Sequence, residues 1–326
     1  MVELSVVIPT YRRHDVLART LAALERQTLA SSRFEVIVVD DPKEDDPAAV
    51  SDVLGAGRRS FRHRQLHRHA SGVSAARNAG WRAAQAPLIL FLGDDIIAAP
   101  DLLEQHLEWQ ARHPEPETAV LGHVRWADEL RRTPLMAWLD AGIQFDYGWL
   151  DSEPAGWGNF YTSNLSIKRE MLERSGGFDE DRFPFGYEDT DLGYRLAKQG
   201  MRLLYNPRAR AEHLHAPTLQ EWAQRMRTIA KAERQWIAKH PEQKPYFEPR
   251  LREATRLPPA RARLARAFAL SIPRWFPVLG WRVWWHIDMH FRQQLAPHFF
   301  AVWDESPQAT GAAATGKRAD STASSR

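Results

Sequence analysis

The sequence predicts an α/β fold in which a mostly parallel central sheet is flanked by helices. In the first hundred residues, short apolar runs of strand length alternate with stretches that have helical spacing. The run Leu88–Leu92 is apolar at every position, which is typical of a strand buried on both faces. Strands separated by helices indicate βαβ units and therefore a mainly parallel sheet.

Each element of the first half has its own local signal. The apolar run Leu4–Ile8 ends at Pro9, and the helix that follows carries Val16, Leu17 and Leu21 on one side. Gly72 marks the turn into a later helix. In chain order, we predict a strand at 4–8, a helix at 15–27, a strand at 34–39, helices at 47–54 and 72–85, a strand at 88–92 and a helix at 100–111.

The second half has strand and helix signals first and arginine-rich helices later. Gly200 is placed to close one helix, and Pro207 is expected to stop the strand after it. The aromatic-rich stretch 126–161 is predicted to be irregular and to form a pocket wall. The remaining predictions are strands at 118–124, 163–167 and 201–205, helices at 169–175, 189–199 and 219–240, and Arg-rich helical pieces from Pro241 onward.

We therefore expect three parts, divided where the pattern changes. These are an α/β domain at 1–218, a helical C-terminal extension at 219–304 and a disordered tail at 305–326, which is rich in alanine, serine and threonine. The stretch 273–300 mixes tryptophans with arginines, which suits either a helical cap on the catalytic domain or a membrane interface. Of these two, the cap is favoured.

Composition excludes several classes of protein. Cysteine is absent, so disulfides, thiolate zinc sites and cysteine nucleophiles are excluded. The formal charge is +3, and the arginine-rich region after residue 250 has no recognition motif, which argues against nucleic acid as a partner. The first residues lack a signal-peptide pattern, and no uncharged apolar run approaches the ~20 residues of a membrane span. We expect a cytoplasmic protein, with peripheral contact at the inner membrane face as the alternative.

An adjacent pair of acids, Asp94 and Asp95, directly follows the apolar run that ends at Leu92 and Gly93. Ligands of open parallel sheets bind at the carboxyl ends of the strands. Two neighbouring carboxylates repel one another unless a cation lies between them, and Mg²⁺ is commonly held by one or two carboxylates plus substrate phosphates. The pair therefore predicts a metal-bound diphosphate at this edge, although aspartates also shape ordinary turns.

Five polar segments, taken in order along the chain, closely resemble the inverting nucleotide-sugar glycosyltransferases of family 2. They are Pro9–Arg13, the Asp40–Asp41 pair, Gly72–Gly80, Gly93–Asp95 and Phe185–Asp191. The resemblance covers roughly residues 2 to 215, where the α/β pattern stops. It implies the GT-A fold for this part of the chain, Mg²⁺ or Mn²⁺ as cofactor and a nucleotide-diphosphate sugar as donor.

The resemblance also implies a role for each matching residue. Glu188 and Asp189 would be the catalytic acid pair, with Asp189 as the base, while Asp95 and His213 would bind the metal. The acceptor side is assigned to Trp157, Asn164 and Asp191, and the partner is expected to be a glycan, a lipid-linked glycan or a small acceptor. Donor binding is assigned to Pro9, Thr10, Tyr11, Arg13, Asp40, Arg77, Asn78 and Asp94.

Two departures from the family pattern affect these assignments. Gly93 stands where the family often has a third acid, so the acid that contacts the sugar is expected to be missing. The residues after Asp41 read Pro-Lys-Glu-Asp-Asp instead of the usual Gly-Ser and a further acid, which leaves the nucleotide base open.

The chemistry can also be derived from the residues themselves. A metal at Asp95, with Arg77 or His213 nearby, would stabilise the charge that develops on a departing diphosphate. A carboxylate in the first turn of the helix at 189–199 could take the proton of an acceptor hydroxyl, which is worth ~10²–10⁴-fold in rate. Structural alternatives remain, because acids are common at helix N-termini and Asp191 could pair with Arg195.

The sequence therefore predicts a metal-assisted, inverting glycosyltransferase. One alternative is a nucleotidyl- or pyrophosphate-cleaving enzyme, but the first strand is followed by no glycine-rich, lysine-containing phosphate loop. The other is a non-catalytic glycan-binding or scaffold protein on the same fold with a degenerate metal turn, and Gly93 is the feature that favours it.

Overall fold

The structure is a computed structural model that describes residues 1–40, 47–55, 59–67, 72–145, 147, 150, 155–258 and 279–305. In this part of the chain, eight strands form one sheet in the order β3-β2-β1-β4-β7-β6-β8-β5. The strands are β1 (Leu4–Pro9), β2 (Phe34–Asp40), β3 (Arg62–His67), β4 (Leu88–Leu92), β5 (Ile96–Ala98), β6 (Thr118–Trp126), β7 (Asn164–Lys168) and β8 (Arg202–His213).

Ten α-helices surround this sheet within the same described ranges. They are α1 (His14–Glu25), α2 (Pro47–Gly55), α3 (Val73–Ala83), α4 (Leu102–Arg112), α5 (Pro134–Leu139), α6 (Arg169–Ser175), α7 (Glu188–Lys198), α8 (Leu219–Lys239), α9 (Phe247–Arg256) and α10 (Leu279–Trp303). The predicted α/β fold with a central sheet flanked by helices is confirmed.

The sheet is parallel on one side of β4 and mixed on the other. β3, β2, β1 and β4 run parallel to one another, while β7 pairs antiparallel with both β4 and β6. The parallel strands end at one edge, so Pro9, Asp40 and the turn after Leu92 lie along the same rim. This arrangement brings together segments that are far apart in the sequence.

The central strands are buried because apolar residues fill both of their faces. Every residue of β2 and β4 is buried, and their side chains belong to one large hydrophobic core. Ser5 and Glu35 lie buried among them, and the Ser5 hydroxyl donates a hydrogen bond of 2.7 Å to the Glu35 carboxylate. A buried polar pair that satisfies itself in this way costs little stability.

The prediction missed β3 and β5 and ended β8 too early. β3 (Arg-His-Arg-Gln-Leu-His) is an edge strand of mainly polar residues, so it carries no apolar run. β8 continues past Pro207 to His213, because the register against β6 jumps from Asn206 to Arg210. Proline lacks a backbone N–H and is tolerated at such an irregularity, where no ladder hydrogen bond is needed.

The C-terminal helices share the core of the sheet. Trp222 and Met226 of α8, Leu251 of α9 and Phe299 of α10 belong to the same hydrophobic cluster as the strands. The predicted boundary between 218 and 219 stays a prediction, and this shared core runs across it. The predicted tail lies outside the described residues from 306 onward, as does the part of 273–300 before Leu279.

Measured over those same described ranges, none of the helices has both the length and the apolar character required for a membrane span.

Candidate functional site

A cleft of about 860 Å³ opens at the carboxyl ends of β1, β2 and β4. Most of the predicted donor, metal and catalytic residues meet there, although their segments are separated by up to two hundred positions. The predicted residues that line the cleft are Pro9, Thr10, Tyr11, Arg13, Asp40, Arg77, Asp94, Asp95, Glu188, Asp189 and His213.

The turn after β4 holds both of its aspartates in fixed positions. The Thr10 hydroxyl donates to Asp94 Oδ2 at 2.9 Å, and Nη1 of Arg13 lies 3.3 Å from Asp94 Oδ1 and 2.5 Å from Asp95 Oδ2. On the other side, His213 Nε2 lies 3.1 Å from Asp95 Oδ2. One guanidinium thus bridges the two carboxylates, and an imidazole completes the cluster.

Burial and the neighbouring charges give the two aspartates of this turn different pKa values. Burial, followed by the neighbouring charge of Asp95, raises the pKa of Asp94 to about 6. Burial also acts to raise the pKa of Asp95, but the hydrogen bond and charge of His213, together with Arg13, lower it to about 2. Asp95 is therefore the carboxylate that stays ionised, as a cation ligand must.

The residues of this turn fit a divalent metal. Asp95 and His213 offer one oxygen and one nitrogen ligand, and Nδ1 of His213 is buried with no hydrogen-bond partner within the described structure. Among the described residues no group of three or more such side chains converges as a metal site. That agrees with a site in which diphosphate oxygens and water supply the other ligands.

Gly93 is closely packed in this turn. A Cβ placed there would lie 2.9 Å from Cγ1 of Ile96 and 3.0 Å from Oδ1 of Asp95. A side chain at this position would therefore require the side chain of Ile96 to shift and that of Asp95 to adjust slightly. The departure from the family pattern is compatible with an intact metal pair.

A second acid pair lies across the cleft at the start of α7. Arg77 of α3 places Nη1 3.0 Å from Glu188 Oε1 and 3.5 Å from Asp189 Oδ1. Asp189 also accepts hydrogen bonds from the backbone N–H and the hydroxyl of Thr162, at 3.0 and 2.7 Å. Burial raises the pKa of Asp189 to about 6, opposed by the charge of Arg77 and reinforced by that of Glu188.

The chain enters this acid pair through a strained turn. Tyr187 has a φ of 63°, which is unfavourable for a residue with a side chain. Its hydroxyl donates a hydrogen bond of 2.5 Å to Glu233 of α8, a carboxylate with no exposed surface. The same carboxylate accepts the backbone N–H groups that begin α9, from Tyr246, Phe247 and Glu248.

Asp40 is held at the floor of the cleft by two side chains of the neighbouring strand β3. His67 Nδ1 lies 2.7 Å from its Oδ1, and Gln65 donates to its Oδ2 at 2.6 Å. Asp40 thus lies where the resemblance places the base or ribose, and its orientation is fixed before any ligand binds.

Four predicted site residues do not line the cleft. Asn78 is buried and joins α3 to the loop at 178–180, and Asn164 is buried against His106 and the carbonyl of Ala209. Asp191 is also buried and pairs with Arg195, Lys239 and His240. Trp157 packs against Tyr194 and Trp236. These side chains pack around the cleft, and none of the three residues predicted for the acceptor side lines it.

Sequence reasoning missed the wall of the cleft that α8 supplies. Trp222 and Arg225 of this helix line the cleft together with the exposed ring of Phe185. Helical spacing predicted α8, but periodicity alone does not indicate which of its polar residues faces a distant strand edge.

Two family models match the sequence. The model described as Glycosyl transferase family 2 matches residues 5–169, and the one described as Glycosyl transferase family group 2 matches residues 88–292.

Curated relatives carry names of the same kind. A validoxylamine A glucosyltransferase of Streptomyces hygroscopicus subsp. limoneus is 35% identical over 230 residues, which cover 61% of this chain and 48% of the relative. A pre-mycofactocin glycosyltransferase of Mycobacterium tuberculosis is 27% identical over 247 residues, covering 74% of this chain and 48% of the relative. The chain thus spans about half the length of these relatives.

Solved structures show the same fold. A mannosyltransferase of Pyrobaculum calidifontis, solved in complex with GDP-Man and Mn²⁺, has a TM-score of 0.59 at 19% identity. The match covers 93% of this chain and 88% of the mannosyltransferase chain. The TarS protein of S. aureus has a TM-score of 0.52 at 14% identity, and the match covers 93% of this chain and 55% of the TarS chain. The fold described above is therefore the GT-A fold predicted for the chain.

Proposed function

The chain belongs to glycosyl transferase family 2, and from that premise we propose that it is an inverting glycosyltransferase. The donor is a nucleotide-diphosphate sugar and the acceptor is a hydroxyl of a glycan, a lipid-linked glycan or a small molecule. The proposal depends on one observation. Asp95 and His213, whose side chains could bind a cation, and Asp189, a carboxylate whose pKa is raised to about 6, line the same cleft.

Asp189 is proposed to take the proton of the acceptor hydroxyl. The hydroxyl oxygen attacks the anomeric carbon while the bond from that carbon to the diphosphate oxygen breaks, and the proton passes to a carboxylate oxygen of Asp189. A single displacement from the opposite face inverts the anomeric configuration. The raised pKa of Asp189 favours this role, because a base works best when its pKa lies near the operating pH.

The other residues of the cleft are proposed to bind the donor. Asp40, fixed by Gln65 and His67, would contact the base or ribose. Asp95 and His213 would hold Mg²⁺ or Mn²⁺, which when bound neutralises the charge of the leaving diphosphate. The structural neighbour with GDP-Man and Mn²⁺, and the relative named for glucosyl transfer, make GDP-mannose and a glucose nucleotide the first donors to test.

Donor binding and hydrolysis test this proposal without knowledge of the acceptor. Thermal unfolding with each nucleoside diphosphate and its sugars, with and without Mn²⁺, should show a metal-dependent stabilisation by one nucleotide. The same donor should then release its nucleoside diphosphate slowly when acceptor is absent. Stabilisation with no release, in the presence or absence of acceptors, would favour the non-catalytic alternative.

Peripheral membrane contact through α10 is proposed as a separate property. Trp281 is 70% exposed and Trp285 is 38% exposed on this helix, while Ile287, Phe291 and Phe299 are buried in the core. Tryptophans presented to solvent suit a membrane interface. Co-sedimentation with anionic liposomes should fall when both tryptophans are replaced by alanine, and equal binding by the variant would refute the contact.

A further inference from the structure

Three arginines line the cleft, and two of them are committed to acid pairs. Arg13 contacts Asp94 and Asp95, and Arg77 contacts Glu188 and Asp189. In both cases one guanidinium lies between two adjacent carboxylates, so its charge is compensated within the protein.

Arg225 has no such partner. Within the described parts of the chain, no carboxylate lies within 4.0 Å of its guanidinium and no hydrogen bond is formed by it. It packs instead against two rings, with its Cζ 5.3 Å from the centre of Phe185 and 5.2 Å from that of Trp222. Aromatic contacts fix the side chain but leave its N–H donors available for a ligand.

Arg225 lies beside the segment that leads into the second acid pair, because its guanidinium packs on Phe185, three residues before Glu188. Its side chain is exposed and lines the cleft. A charge-assisted hydrogen bond from a guanidinium to an anion is stronger than one to a neutral group.

We propose that Arg225 binds an oxyanion of the acceptor, a phosphate or a carboxylate, beside the hydroxyl that Asp189 deprotonates. This rests on the proposed function, since it takes Asp189 as the base and the metal turn as the site of the donor diphosphate. A planar guanidinium matches two oxygens of a phosphate or carboxylate, and its contacts with the rings of Phe185 and Trp222 keep it at the cleft. Acceptors with a negative group near the reacting hydroxyl are then preferred over neutral ones.

Inorganic phosphate tests this subsite without an identified acceptor. The full chain is first saturated with nucleoside diphosphate and Mg²⁺, so that the donor position is occupied, and phosphate is then titrated by calorimetry. The Arg225→Gln variant should bind phosphate at least about tenfold more weakly than the unchanged chain, as expected for loss of a charge-assisted contact. Arg227→Gln, an exposed arginine of the same helix that does not line the cleft, should bind it within about twofold.

Three results would overturn the assignment. Equal affinity of Arg225→Gln and the unchanged chain for the anion would remove the subsite, and so would a loaded unchanged chain that binds neither phosphate nor acetate. A tenfold loss of nucleoside diphosphate affinity in Arg225→Gln, with unchanged thermal unfolding, would assign the arginine to the donor instead.

The nucleotide titration distinguishes failure of the Arg225 subsite from failure of the proposed glycosyltransferase function on which it rests. If the unchanged chain binds no nucleoside diphosphate, the donor proposal fails by itself. The phosphate titration of the two variants is then read without nucleotide, and a loss confined to Arg225→Gln keeps the anion site. An equal series with acetate distinguishes a phosphate site from a carboxylate site.

Discussion

The two acid pairs of the cleft look alike in sequence and differ in how they are neutralised. Asp94–Asp95 follows a strand and Glu188–Asp189 begins a helix, and each pair is bridged by one arginine. The side chain of Arg13 is 43% exposed, whereas that of Arg77 is only 11% exposed and its guanidinium lies over the ring of Phe178. We therefore expect Arg13 to be displaced by another cation more readily than Arg77.

This difference indicates what each pair is suited to do. A pair whose counterion can be exchanged is suited to binding a metal with its diphosphate. A pair whose counterion is permanent is suited to holding one carboxylate at a raised pKa, because the charge around it does not change when the donor binds. The predictions below test that distinction, beginning with the largest expected effect.

Removal of the ionised member of the first pair should eliminate both binding and turnover. We expect Asp95→Ala to lose metal-dependent nucleotide binding and at least about 10³-fold in transfer, because the leaving diphosphate loses its main electrostatic stabilisation. Calorimetry with nucleoside diphosphate and Mn²⁺ and a transfer assay measure the two effects. Near-normal turnover would remove the metal role of Asp95.

Neutralisation of Asp189 in the second pair should lower the rate of transfer and leave donor affinity almost unchanged. We expect Asp189→Asn to lower transfer by about 10²–10⁴-fold, the usual contribution of a general base, while nucleotide affinity stays within about twofold. Thermal unfolding serves as the control for folding, since the asparagine oxygen can still accept the backbone N–H of Thr162 while its amide nitrogen donates to the Thr162 hydroxyl. A variant that transfers at the normal rate would refute the base assignment.

The pH dependence should reveal the raised pKa of Asp189. A base must be deprotonated, so we expect kcat/KM for the acceptor, measured at saturating donor, to rise as pH increases through about 6 and to fall about tenfold for each unit below it. Asp94 also has a pKa of about 6, and its titration should appear in nucleotide binding rather than in the reaction. Nucleotide affinity measured over the same pH range separates the two groups. A flat rate profile between pH 5 and pH 8 would contradict the role of Asp189.

The smallest effects should come from replacing the two arginines that bridge the acid pairs, Arg13 and Arg77. We expect Arg13→Gln to raise the affinity for Mn²⁺ several-fold when no nucleotide is present, because a competing cation has been removed from the carboxylates. Arg77→Gln, the matched change at the other pair, should leave that affinity unchanged. Manganese titration followed by electron paramagnetic resonance measures both, and equal responses would show that the two pairs do not differ.

The sequence was sufficient for the central strands of the sheet and for most of the cleft, since both depend on local patterns. Apolar runs identify β1, β2 and β4, and the acids that follow them must meet at one edge of a parallel sheet. Asn78 and Asp191 were assigned to the site because they stand beside Arg77 and Asp189. Neighbours on a helix point in different directions, and these two point into the protein.

The residues that sequence reasoning missed depend on long-range packing. Arg225 faces the cleft because α8 packs back onto the sheet, and no local pattern encodes that docking. β3 lies at the edge of the sheet and contributes Gln65 and His67 from a polar strand. Edge strands and docked helices are recognised only once their neighbours are known.

Glu233 makes the C-terminal helices inseparable from the reaction centre. A single carboxylate caps the first turn of α9 and also holds the hydroxyl of Tyr187, the residue directly before the proposed catalytic acids. An exchange of the extension between homologues, made to alter acceptor choice, would therefore also disturb the geometry of the base. Such chimaeras should keep Glu233 together with the start of α9, so that the hydrogen bonds from Glu233 to α9 and to Tyr187 are preserved.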